Sequence, residues 1–208
     1  ATPISWMTMF NDLRSIPEIR KHYQFWCYFY PTGEPFVYTA ADLREQMVQL
    51  RKILDPQDRE PALEQIVMLG HSMGGLISRL QSVDSGDLFW KQVAAQPLDM
   101  AKADPETRRQ IERLFFFRAN PAVRRVVTIA TPFSGSDLSN SATQWIGSQL
   151  IEPPKLIMES LQKLNSDNPE LLKNDVADLT PTSLEMLAPG SAALKSLAAA
   201  PQAPCDLP

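Results

Sequence analysis

The apolar run Ile66-Val67-Met68-Leu69 passes directly into Gly70-His71-Ser72-Met73-Gly74-Gly75 and then into Leu76-Ile77-Ser78-Arg79-Leu80. A short apolar run of this kind reads as a buried strand, and the segment behind it reads as a helix reaching about Gln81. The serine between them, with Gly70 and Gly74 two positions to either side, forms a nucleophile elbow, G-x-S-x-G. A chain that turns from strand to helix at one residue holds that residue in a strained conformation. It also carries the strand and the helix past each other so closely that positions 70 and 74 must be small.

The rest of the chain supplies a setting for this turn. Residues 4–23 predict a helix broken at Pro17, with Trp6, Met9, Phe10 and Leu13 at helical spacing. Residues 24–30 are a nearly continuous apolar and aromatic run ended by Pro31-Thr32-Gly33, which suits a strand buried on both faces. Thr39 is placed to cap a helix with the stripe Leu43, Met47, Leu50 and Leu54, with Arg44, Glu45, Arg51 and Lys52 toward water and Asp55-Pro56 closing it. The elbow strand covers residues 65–69. Asp104 and Pro105 open a further helix with Ile111, Leu114 and Phe115 inward, and residues 125–130 form another apolar strand. Beyond Thr131-Pro132 the pattern is helical, through Trp145, Ile146, Leu150 and Ile151, then Leu156, Ile157, Met158 and Leu161, and finally Ala192, Leu194 and Leu197. Strands separated by helices imply an α/β fold with a mostly parallel sheet and flanking helices. Residues 1–200 read as one domain, with a helical, cap-like segment over about 134–187 and a Pro-rich tail at 201–208.

Composition narrows the partners. The net charge of −4, without a Lys/Arg cluster, argues against nucleic acid. No apolar run approaches the roughly 20 residues of a transmembrane helix, and the first residues lack a signal-peptide layout. Cys27 and Cys205 lie in such different settings that they read as free thiols rather than a disulfide. No metal-ligand spacing and no cofactor motif is present.

A serine hydroxyl is a weak nucleophile at neutral pH and needs an adjacent base, normally a histidine oriented by a carboxylate. The chain has two histidines. His71 precedes Ser72 on the strand, where alternation points its ring away from the hydroxyl, so it reads as a packing or hydrogen-bonding residue. His22 reads as a surface or helix-end residue. In this fold class the order along the chain is Ser, then Asp or Glu, then His, and no histidine follows position 71. Asp137, Asp175 and Asp178 suit surface or capping roles, with Asp137 in a turn after a strand. One oxyanion donor would be the backbone N–H of Met73. The second normally comes from a loop after an earlier strand, which would lie before residue 1.

Gly-His-Ser-Met-Gly-Gly at 70–75, together with Thr-Ile-Ala-Thr-Pro-Phe-Ser-Gly-Ser at 128–136, resembles bacterial α/β-hydrolases of the lipase and esterase type, related to the GPI inositol-deacylase-like group. The second motif is similar to that family's Thr-Pro-His-x-Gly-Ser segment, with Phe133 in place of the histidine. Residues 6–13, the Tyr30-Pro31-Thr32-Gly33 turn and residues 178–183 also resemble such hydrolases, so the likeness runs from Trp6 to about Leu197. It implies a serine ester hydrolase acting through an acyl-enzyme on Ser72, with a small-molecule ester or lipid as substrate. An acyltransferase, in which an alcohol replaces water, and a non-catalytic binding module of the same fold are the alternatives. It also implies an internal piece of such a domain, incomplete at both ends, with the catalytic acid and histidine outside the chain. One strand would then be missing between residues 24–30 and the elbow strand, leaving unpaired backbone on two sheet edges.

Overall fold

The computed structural model describes residues 3–31, 33–136, 155–173 and 183–201. The expected helix at 145–151, the turn at Asp137, Asp175, Asp178 and Cys205 lie outside these residues. The chain divides into two compact units, Ala1–Tyr30 and Pro31–Pro208.

In the N-terminal unit, helix α1 (Pro3–Ser15) is followed by α2 (Pro17–His22). Ile16 sits in an extended conformation (φ −81°, ψ 115°) because the ring of Pro17 excludes the helical region for the residue before it. Pro17 then starts α2, where its missing N–H has no consequence. The break falls where the sequence places it. The strand expected at 24–30 does not form: these residues have no regular secondary structure, and Trp26, Cys27 and Phe29 are exposed. A strand exists through its ladder, and among the described residues no strand pairs with this run. Its aromatics pack locally instead, Phe25 edge-on to Phe10 with ring centroids 5.1 Å apart and Tyr28 stacked on Tyr30 at 5.5 Å.

The second unit opens with α3 (Phe36–Leu54), preceded by Pro35 and ended at Asp55. Thr39 is not the cap. It lies within the first turns, fully buried, and its hydroxyl donates to the Glu34 carboxylate at 2.9 Å. Burial pushes the Glu34 carboxyl above its ordinary range, and the Thr39 hydrogen bond opposes that shift. The buried end of α3 is its N-terminal part, through Phe36, Tyr38, Ala40 and Ala41, whereas Leu50 and Leu54 of the expected stripe are exposed. Arg44, expected in water, lies against the Phe117 ring at 3.9 Å and donates to the Arg113 carbonyl at 3.2 Å. Its guanidinium is brought down to about 10 by burial.

Strand β1 (Ile66–His71) leads into α4 (Met73–Arg79), then α5 (Trp90–Val93), α6 (Pro105–Phe115) and strand β2 (Val123–Ile129). Helices α7 (Lys155–Asp167), α8 (Ser183–Leu187) and α9 (Ala192–Ala199) follow. The unit is mixed α/β, and its sheet is small. β1 and β2 pair in parallel from Ile66 opposite Val123 to His71 opposite Ile129. Leu76 and Ile77 of α4 and Leu80 just past its end are buried, yet Val67, Leu69 and Val127 on the strands remain 44%, 38% and 37% exposed. The core lies instead among the helices, where Tyr38, Trp90, Ile111, Leu114, Ile157, Leu161 and Leu164 close on one another.

Two polar connections hold this helical core. Asn168 at the end of α7 exchanges hydrogen bonds with the Lys102 peptide, accepting from its N–H at 2.7 Å and donating to its carbonyl at 2.8 Å. Asp104 caps α6 by accepting from the Glu106 and Thr107 N–H groups, and its other oxygen takes the Lys163 ammonium of α7 at 2.8 Å. The Lys163 contact, then Thr107, hold the Asp104 carboxyl well below the usual carboxylate range. A depressed carboxylate contributes stability that is complete above its unfolded-state pKa of about 4 and is lost as pH falls below it. Asp104→Ala therefore lowers the urea midpoint at neutral pH, and the difference from the parent shrinks as the titration is repeated in acid. Leu161→Ala, which opens a cavity at a fully buried site, costs about 2–5 kcal/mol by the same measurement.

Candidate active site

The elbow is built as the sequence implies. Ser72 takes φ 53° and ψ −128°, a conformation that side-chain-bearing residues rarely adopt, between the end of β1 and the start of α4. Two backbone hydrogen bonds pin it. Its N–H donates to the Ile129 carbonyl of β2, and its own carbonyl accepts from Gly75 N–H, both at 2.9 Å.

Serine is a favoured helix N-cap because its hydroxyl ordinarily accepts from an N–H of the first turn. Ser72 stands at that position and makes no such bond. Its backbone lies in the left-handed region instead of the extended one usual for an N-cap, and the residue is half-buried. Met73 is the first residue of α4, so its N–H is one of those with no acceptor within the helix. The turn thus carries a serine hydroxyl with no capping bond next to the first N–H of α4.

The glycines act by clearance. A Cβ on Gly70 would overlap the carbonyl of Gly74, the close approach of strand and helix backbones that the motif requires. A second clearance, not singled out from the sequence, lies at Gly75, where a Cβ would overlap the Thr131 side chain beyond β2. The doubled glycine, beside the Thr-Pro that follows the next strand, was the available signal. Ala130 was also missed. It takes a positive φ of 47° one residue past Ile129, and because Ile129 is level with His71, two strained non-glycine residues end neighbouring strands. An alanine carries no sequence cue for such a conformation.

Of the remaining residues, His71 is exposed at the end of β1, opposite Ile129. His22 ends α2 in the other unit. Phe133 is exposed, and Gly135, at φ 92°, lies against Pro189 with no room for a Cβ. Ser136 N–H donates to the Leu187 carbonyl at 2.9 Å, tying the end of the second motif to α8. Among the described residues no group of three or more His, Cys, Asp and Glu side chains is placed to hold a metal ion, and no helix is long and apolar enough to cross a membrane. No family model, curated protein or solved structure matches the chain.

Strain at position 72 makes an opposite pair of outcomes testable by urea denaturation. Ser72→Gly removes the Cβ from a backbone that disfavours it and raises stability by about 1 kcal/mol. Gly70→Ala forces strand and helix apart and lowers it by about 1–3 kcal/mol.

Proposed function

We propose that Ser72 is the nucleophile of a serine carboxylic-ester hydrolase of the α/β-hydrolase superfamily, similar to bacterial lipases and esterases. The observation that carries this reading is the Ser72 backbone, strained and oriented so that the hydroxyl does not cap its own helix. In the proposed reaction the Ser72 oxygen attacks the acyl carbon while its proton passes to a base. The Met73 N–H donates to the oxyanion. Collapse expels the alcohol, and water then releases the acid from the acyl-enzyme. An acyltransferase would differ only in the last step, with an alcohol in place of water.

The base is the demanding part. The chain carries only His22 and His71, and no histidine follows the nucleophile in the order this fold class uses. The reading therefore requires an imidazole and its carboxylate from outside these 208 residues and predicts little turnover without them, since the base contributes orders of magnitude to the rate. The same lack of a base favours the second reading, a non-catalytic module that keeps the elbow as a fold feature and binds an apolar ligand.

Fluorophosphonate labelling separates the two. A longer polypeptide that contains this chain and a downstream Asp and His is expected to label at Ser72, with Ser72→Ala abolishing the adduct, while residues 1–208 alone label slowly or not at all. Absence of labelling in the longer polypeptide would overturn the hydrolase reading in favour of the binding module. Efficient Ser72-dependent ester hydrolysis by the 208 residues alone would refute the requirement for an external base.

A further inference from the structure

A cavity of ≈ 450 Å³ is lined entirely by residues of the N-terminal unit, none of which is given a role in the chemistry proposed at Ser72. It is an open groove, every lining residue half-buried or exposed, of a volume that small-molecule sites also have, roughly 300–1,000 Å³. One part of its wall is aromatic. Phe10 and Phe25 meet edge to face, and Tyr23 and Trp26 join them while staying 50% and 61% exposed. Large rings left open to water retain apolar area that a ligand would cover.

The other part of the wall is cationic. Arg14 lies over the Phe10 ring, its guanidinium carbon 5.2 Å from the centroid, and Arg20 also lines the cavity. Neither arginine forms an ion pair with a carboxylate among the described residues, although Asp12 and Glu18 are two positions away in each case. Two arginines with no ion pair among the described residues therefore line a pocket whose other walls are four aromatic rings and Gln24. Guanidinium forks pair with carboxylate oxygens through two parallel N–H donors, and the rings accept a chain or an aryl body alongside.

We infer that this cavity binds a small amphipathic carboxylate, with Arg14 and Arg20 holding the anionic head and Trp26, Phe25 and Tyr23 covering the apolar body. The site is independent of the reading of Ser72 and stands or falls separately.

Calorimetric titration of the full chain with decanoate, kept below its micellar range, against decanol as the uncharged probe tests it. Decanoate is expected to fill one saturable site about tenfold or more tighter than decanol. Arg14→Gln with Arg20→Gln removes that preference, and lysine at both positions restores part of it. Both arginines are exposed, so their replacement removes no buried side chain, and circular dichroism checks that the loss of the Arg14 contact with Phe10 leaves the helices intact. Trp26→Ala weakens both probes. Non-saturating decanoate binding, equal affinity for decanol in the unmodified chain, or an unchanged preference in a folded Gln double variant would each overturn the inference. The comparison of the two probes on the unmodified chain decides the matter even where a variant fails to fold.

Discussion

The close passage of the β1 backbone beneath the start of α4 is the constraint on which the second unit turns. With no Cβ at Gly70, the strand runs against the Gly74 carbonyl, and the chain reverses within the single residue Ser72. That reversal lays α4 back over the strands and buries Leu76, Ile77 and Leu80. It also leaves the Ser72 N–H aimed at the Ile129 carbonyl, so the elbow is part of the ladder that joins β1 to β2. The strain at Ser72 is thus held by its surroundings on three sides: the ladder, the Gly75 hydrogen bond and the helix itself.

Around this turn the distribution of apolar burial is uneven. The helices α3, α5, α6 and α7 share a closed core, tied by the Asp104 to Lys163 bridge and the Asn168 amide to the Lys102 peptide. The sheet contributes less, because the two strands among the described residues offer little surface and Val67, Leu69 and Val127 still meet water. Rigidity at the Ser72 turn therefore comes from backbone hydrogen bonds and glycine clearance more than from side-chain packing around the strands. The arrangement suits a site whose chemistry depends on where a hydroxyl and an N–H point.

Local signals were legible wherever the determining interaction lies within a few residues. Pro17 breaks its helix through its own ring, Asp104 and Pro105 start α6 through a cap and a missing N–H, and Asp55 ends α3. Expectations that depended on distant partners fared differently. The run at 24–30 has strand composition but no described neighbour to pair with, and its rings settled against nearby ones. Arg44 looked solvated by its charge, yet Phe117, far along the chain, draws its guanidinium into the interior. Thr39 has the residue type of a cap, but it lies inside α3 and donates its hydroxyl to Glu34, which precedes the helix.

By itself, the sequence determined the strand-to-helix elbow, the serine placed on it and the mixed α/β character of the chain, because glycine spacing and apolar periodicity act over short distances. It also determined that His22 and His71 are the only imidazoles these residues carry. Only the tertiary structure decided that Gly75 is needed to clear Thr131 and that Ala130 shares the strain at the strand ends. It likewise decided that Arg14 and Arg20 open onto one aromatic cavity. The first two depend on which backbones and side chains meet across the fold, which no single stretch of chain encodes, and the third on how α1, α2 and the run after them pack, which periodicity alone does not fix.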